Sequence, residues 1–336
     1  MAFGPLATTS VGSFPRPTWL AHTKRNQLTF RLEGEALKEA MDDAMALAVR
    51  EQEQLGLDIL TDGEMRRSTF VFHVAGTWDG VDTENVVAKK IYRNREANRL
   101  VPRIAGKIVR RGPAAVDDLR AAKSHTGRPV KMAVPGPMTV IDSAANEFYR
   151  DEEELAFDVA AAINAELRDL QAAGCDVLQI DEPAMTRYHD KVRAYGAAAL
   201  DRCLDGITVP TIVHLCYGYP GGSALQHQYQ YEGVLPLLME TRVSGFHVEF
   251  GRSTFDPKVL RLCADRIVMF GCVDPGDSPA PTIDAVERRV GEVLEVLDPA
   301  QVWLAPDCGL MTISRELARG KLTVMVEAAK RLRATI

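Results

Sequence analysis

The sequence predicts an α/β fold, a (β/α)8 TIM barrel with a long insertion after strand 2. Three observations carry that expectation. Eight short β-rich runs alternate with longer helical patterns, most of the runs are apolar nearly throughout, and their polar residues gather at the C-terminal ends. A strand covered on both faces has no water-facing side, so it reads as a continuous apolar run. Regular strand–helix alternation calls for crossover connections and hence a parallel sheet. A chain of 336 residues matches one such barrel of ordinary size.

In chain order the strand runs are "ATTSVGS" (7–13), "LDILTDGE" (57–64), "PVKMAVPGP" (129–137) and "DVLQIDEP" (176–183). Then come "TVPTIVHLC" (208–216), "GFHVEFG" (245–251), "RIVMFGCVD" (266–274) and "QVWLAPDCG" (301–309). Helical patterns cover 35–56, 152–174, 189–203, 234–242, 257–264, 283–297 and 315–333. In the first, Ala36, Leu37, Ala40, Met41, Ala44, Leu47, Ala48 and Leu55 form the apolar stripe, with Glu35, Lys38, Asp42 and Arg50 off it. Gly56 and Gly174 stand just past a helix and before a strand, as αβ connections require. Residues 65–128 are too long for a simple connection. Their basic stretch "AKKIYRNREANRLVPRIAGKIVRR" (88–111) is expected as a hairpin excursion, facing solvent or an acidic donor protein. With no linker or internal repeat, 1–336 is expected to be a single domain.

A hydrophobic share of 46% gives ample core material, and a net charge of −6 offers no electrostatic case for nucleic acid or an anionic membrane. The N-terminus lacks the basic start and apolar core of a signal peptide, and no run of about 18 apolar residues suggests a spanning helix. Six scattered cysteines form no disulfide framework, so the cytoplasm, with thiols reduced, is the expected compartment.

Chemistry concentrates at the strand ends: Ser13, Asp62 with Glu64, Asp181 with Glu182, His214 with Cys216, Glu249, Asp274, and Asp307 with Cys308. In a barrel these ends ring one mouth. His214 and Cys216 are two apart on a strand and share a face; alone, two buried residues is the ordinary reading. Together with Glu249 and Cys308 they make a zinc set of nitrogen, thiolate and carboxylate donors. Two thiolates and a carboxylate leave Zn2+ at formal −1, an electron-rich ion suited to holding a thiol as thiolate rather than polarising a carbonyl. Cys175, Cys203, Cys263 and Cys272 read as packing residues. Glu64 and Asp181 can bind an ammonium group, serve as acid or base, or pair with arginine. "VPGPMT" (134–139) reads as a rigid turn, His73 and His247 as packing residues, and Trp78, Tyr217 and Tyr219 as rim aromatics. "YGYPGG" (217–222) reads as a lid.

"TTSVGSFPRP", "LTDGE", "VPGPMTVI", "DVLQIDEPA", "VHLCYG", "HVEFGRS" and "PDCGLMTISRELARGKLTVMVEAAKRLR" together resemble the catalytic domain of cobalamin-independent methionine synthase, in family order over essentially the whole chain. The resemblance implies catalytic zinc on His214, Cys216, Glu249 and Cys308, homocysteine held by Ser13, Glu64 and Asp181, and alkyl transfer to the zinc-bound sulfur. Three departures are expected to matter. The family's N-terminal, folate-binding half is not part of this sequence. Its folate-contacting tryptophan falls where this chain has Ser143. Its catalytic histidine follows the seventh strand, where "GCVDPGDSP" has none, leaving Asp277 or Asp274 as candidate catalytic acid. A methyl on folate nitrogen leaves only once that nitrogen is protonated, so the expected donor is not methyltetrahydrofolate; methylcobalamin on a partner protein is one candidate. The competing expectations are epoxyalkane–coenzyme M transferase-like thiol alkylation, kept open by Arg16, Arg66 and Arg67 near strand ends, and a non-catalytic zinc-bearing binding protein.

Overall fold

Strands form where the sequence places its apolar runs. In a computed structural model describing residues 3–24, 27–90, 99–217, 230–253 and 255–336, they are β1 (Ala7–Thr8), β2 (Ala21–Lys24), β3 (Gln27–Phe30), β4 (Asp79–Lys89), β5 (Arg99–Val109) and β6 (Lys131–Pro135), followed by β7 (Ala145–Asn146), β8 (Val177–Asp181), β9 (Thr211–Leu215), β10 (Gly245–Glu249), β11 (Ile267–Val273) and β12 (Val302–Pro306). The α-helices are α1 (Gly34–Leu55), α2 (Phe70–Val74), α3 (Val116–Lys123), α4 (Pro137–Ser143) and α5 (Glu152–Ala172), then α6 (His189–Lys191), α7 (Ala197–Cys203), α8 (Gln230–Leu238), α9 (Ile283–Leu294) and α10 (Arg315–Arg333). None of the described helices is long and apolar enough to cross a membrane.

A seven-stranded sheet has the order β1-β12-β11-β10-β9-β8-β6, and β6, β8, β9, β10 and β12 are buried along their whole length. The second expected strand forms no ladder. It makes two parallel bridges, Thr9 with Ile59 and Leu60 with Val130. Placed between β1 and β6, it completes the eight-run order expected of the (β/α)8 fold. It is short because the chain leaves the extended region at Gly63 and Glu64, with φ of +65° and +56°.

Two compact units make up the chain: Met1–Ser68 with Asp118–Met132 and Gly245–Ile336, and Thr69–Asp117 with Ala133–Ser244. In the first, α1 buries Ala40, Ala44, Met45, Ala48, Val49 and Gln52. The stripe is rotated from the expected one, leaving Ala36 and Leu47 exposed, because Gln52 is drawn inward. Its amide donates to the Thr61 carbonyl (2.9 Å) and its Oε1 accepts from Ser10 Oγ (3.0 Å). The Asp58 carboxylate accepts from Thr8 N and Oγ1 (both 2.8 Å) and from Arg333 at the end of α10, pinning the two chain ends together.

In the second unit β4 and β5 pair as an antiparallel hairpin, with β7 parallel to β5. The hairpin is the core of the 65–128 excursion, and three arginines on or just past β5 pair with acids: Arg103 with Asp82 and Glu147, Arg110 with Glu166 and Asp169, Arg111 with Asp79. Residues 91–98 of the basic stretch lie outside the described residues. Lys89 caps α4, its Nζ donating to the carbonyls of Ile141 (2.9 Å), Asp142 (3.0 Å) and Ala144 (2.6 Å). Two expected helices differ in kind. Residues 189–203 break into α6, a π-turn over Val192–Gly196 and α7, and Pro257–Cys263 is a 3-10 helix.

Candidate metal centre

In the first unit Ser13 is buried beside the loop that carries Cys308. A Cβ on Gly309 would stand 2.0 Å from Ser13 Oγ, so only glycine lets the two segments meet, and Leu310 N donates to the Ser13 carbonyl (2.9 Å). Glu64 rides a tight turn. Asp62 Oδ1 accepts from Glu64 N (3.1 Å), Asp62 Oδ2 from Arg67 Nη2 (3.3 Å), and the Arg67 guanidinium lies 3.9 Å from Glu64 Oε1. Arg16 Nη2 donates to the carbonyls of Glu64 (2.6 Å) and Arg67 (2.7 Å). Glu249 ends β10, and Cys308 follows β12 by two residues, half-buried where the other cysteines are buried.

The two candidate acids differ. The Asp274 carboxylate is engaged in its own turn, accepting from Gly276 N (2.8 Å) and Ser278 Oγ (2.8 Å), while Lys321 Nζ holds the carbonyls of Asp274 (2.6 Å) and Gly276 (2.7 Å). Asp277 is exposed.

In the second unit Asp181 ends β8, and Gln179 Nε2, two residues earlier on the same face, donates to its Oδ1 (2.7 Å). The neighbouring Glu182 caps α4. Its carboxylate accepts from Met138 N (2.9 Å), Thr139 N (2.9 Å) and Thr139 Oγ1 (2.8 Å). Burial pushes the Glu182 carboxyl up to about 8, against the pull of these three hydrogen bonds. Gly136 is the one residue that fits the approach, since a Cβ there would lie 2.3 Å from the Glu182 side chain. The "VPGPMT" segment is therefore no simple turn: Pro137 opens a helix at N1, where its missing N–H costs nothing. His214 and Cys216, at and just after the end of β9, are both buried.

Among the described residues one group of potential ligands stands out: His214, Cys216 and Cys308, each with a ligand atom within 4.8 Å of the others. Tetrahedral zinc with Zn–S near 2.3 Å and Zn–N near 2.0–2.1 Å demands donors roughly 3.5–4 Å apart, so this set fits the ion. Glu249, the fourth expected ligand, is outside that group. The other cysteines are packing residues as expected. Burial pushes the Cys263 thiol up to about 12, and Cys203 and Cys272 are raised by the same cause. His247 hydrogen-bonds the Pro306 carbonyl (3.0 Å). Residues 218–222 of the expected lid lie outside the described residues. The sequence placed Arg16 near a strand end without showing its backbone acceptors, and it gave Gln179 no role, although the polar position two before Asp181 on its strand was a usable signal for it.

Residues 6–331 match the family of the cobalamin-independent synthase catalytic domain. The chain belongs to this family. It is 33% identical to the methionine synthase of Saccharolobus solfataricus over 98% of this chain and 95% of that protein. A solved B12-independent methionine synthase from Shewanella sp. W3-18-1, in complex with selenomethionine, superposes with a TM-score of 0.93 at 32% identity, covering 98% of each chain. A Listeria monocytogenes structure described as a putative B12-independent methionine synthase shares the fold, with a TM-score of 0.73 at 20% identity and 98% coverage of both chains.

Proposed function

We propose that this chain is a methyltransferase that methylates the sulfur of homocysteine to give methionine, with zinc held by His214, Cys216 and Cys308 and Glu249 as the exchangeable fourth ligand. The observation that carries the reading is the clustering of three nitrogen and sulfur donors in a chain of this family. Bound zinc would lower the thiol pKa while keeping the sulfur nucleophilic. Ser13 offers a hydroxyl to the amino-acid end, and the buried carboxylates Glu64 and Asp181 suit its ammonium. The Shewanella relative holds selenomethionine, the selenium counterpart of the methylated product, which supports a site built for this amino acid. Arg66 is tied to Asp42 and Asp118, Arg67 to Asp62, and Arg16 to two carbonyls. These commitments favour an ammonium-bearing thiol over the sulfonate of coenzyme M. Reduced thiols and such a substrate fit the cytoplasm.

In the reaction a sulfur–carbon bond forms, the donor–methyl bond breaks, and the leaving group departs with the electron pair. A folate nitrogen needs a proton to leave, yet the Asp274 carboxylate is engaged in its own turn and Asp277 is exposed. A cobalt-bound methyl needs no acid. This reading favours methylcobalamin, presented by a partner protein, over methyltetrahydrofolate as the donor. Zinc-loaded enzyme with homocysteine and each donor tests it. Methionine from methylcobalamin supports the reading, and brisk turnover with methyltetrahydrofolate overturns the donor assignment. A protein that takes up no zinc and methylates no thiol overturns the whole.

A further inference from the structure

Asp307 is fully buried, and its carboxylate is bound to backbone. Oδ1 accepts from Phe250 N (3.0 Å) and Gly251 N (2.7 Å), and Oδ2 accepts from Arg252 N (2.8 Å). Three successive N–H groups turned on one carboxylate form an anion-binding concavity. Asp307 lies at the exit of β12 and Phe250 at the exit of β10, with β11 paired between them, so the side chain has to pass over β11. It passes at Gly271. A Cβ on that residue would stand 2.4 Å from Asp307 Oδ1 and 2.8 Å from the Val248 carbonyl oxygen. The β11–β12 register shifts at the same place, between Gly271 and Val273. Backbone bonds complete the junction: Asp307 N to the Val273 carbonyl and Phe250 N to the Gly271 carbonyl, both 2.9 Å. The residue before the concavity is Glu249, and the residue after Asp307 is Cys308.

We propose that Asp307, admitted by the side-chain-free Gly271, is a positioning residue of the metal centre, a clamp across β11 that ties together the two strand exits from which Glu249 and Cys308 would reach a zinc ion. The proposal rests on the reading of Glu249 and Cys308 as zinc ligands. Without the clamp, the exits of β10 and β12 move independently, and the protein has to order two ligands at the moment of binding. Residues that orient metal ligands without touching the metal typically change affinity by about 10- to 100-fold.

The test is the zinc dissociation constant of the full-length protein, measured by competition with a chromophoric chelator, for wild type, Asp307→Asn and Gly271→Ala. Asp307→Asn keeps the side chain's shape and removes its charge; Gly271→Ala keeps the aspartate and blocks its path. Metal-free melting temperatures are recorded alongside. The expected result is zinc binding about 10- to 100-fold weaker in Asp307→Asn. Gly271→Ala should behave alike where it folds, and the double variant should be no worse than the poorer single one. A clamp that serves only the fold would lower the metal-free melting temperature and leave zinc affinity within about twofold of wild type. That outcome overturns the proposal while the metal reading stands. Wild-type protein that binds no zinc overturns the metal reading itself, and the clamp with it.

Discussion

Replacing Arg16 by methionine should weaken homocysteine binding through a residue that Arg16 holds by its backbone. Glu64 sits at φ +56°, a left-handed conformation that costs a residue with a Cβ roughly 1–2 kcal/mol. Arg16 Nη2 donates to the carbonyls of Glu64 and Arg67 at 2.6 and 2.7 Å, and a hydrogen bond from a charged donor contributes about 1.5–3 kcal/mol. The gross tether is offset, because Arg16 Nε and Nη1 are buried with no hydrogen-bond partner among the described residues and burial lowers the guanidinium pKa. A net tether of about 2 kcal/mol is therefore comparable with the strain it restrains. Without it the turn relaxes and the competent conformer becomes a minor one, which weakens apparent affinity about 5- to 15-fold. Calorimetric titration with homocysteine and with 4-mercaptobutyrate, the same thiol acid without its amine, reads the effect. Arg16→Met should lose affinity for homocysteine and keep 4-mercaptobutyrate within about twofold. Equal losses for both ligands, or none for homocysteine, would refute the reasoning.

Glu182 and the packing cysteines give further tests. The fold holds the Glu182 proton up to about pH 8, whereas the unfolded chain releases it near 4.5. The native state thus binds more protons in that window, and its stability falls as pH rises from about 4.5 to about 8, by about 5 kcal/mol at most. Thermal melts at both ends of the window should show a steeper pH loss in wild type than in Glu182→Gln; identical slopes would count against the assignment. In metal-free native protein near pH 8, iodoacetamide should modify Cys308 before Cys203, Cys263 or Cys272, because a thiol raised to about 12 is about 0.01% thiolate there. Peptide mass spectrometry finding Cys263 alkylated first would contradict that order.

The eight strand positions were legible because a buried parallel strand leaves no freedom in its composition. Helix kind was less so. Residues 189–203 carry a helical apolar pattern throughout, yet the π-turn over Val192–Gly196 interrupts it, and only Gly196 in the sequence hints at a break. The Gly136–Pro137 pair punctuates a loop and also opens a helix, and the choice is made by Glu182, 43 to 44 residues away, capping the N–H groups of Met138 and Thr139. Arg16 was read as a cation near the mouth, with no means of seeing that its acceptors are main-chain carbonyls of Glu64 and Arg67. Side chains that bond distant backbone leave no compositional trace, since every residue type offers the same carbonyl and, proline aside, the same N–H.

The acids paired at strand ends have a common logic that their spelling conceals. In "DGE" Asp62 caps the turn that carries Glu64; in "DE" Glu182 anchors α4 beside Asp181; in "DC" Asp307 gathers the loop after Glu249 and stands next to Cys308. In each pair one member binds backbone N–H groups and its neighbour is the candidate for substrate or metal. A rigid strand fixes where a Cα lies, but the residues just past it are loop, and a reacting group placed there needs a second tether. Substitution of a tether should then act through its neighbour, so the effects of changing both fall short of the sum. Additive losses for Asp62 with Glu64, or for Asp307 with Cys308, would mean that these carboxylates serve the fold alone.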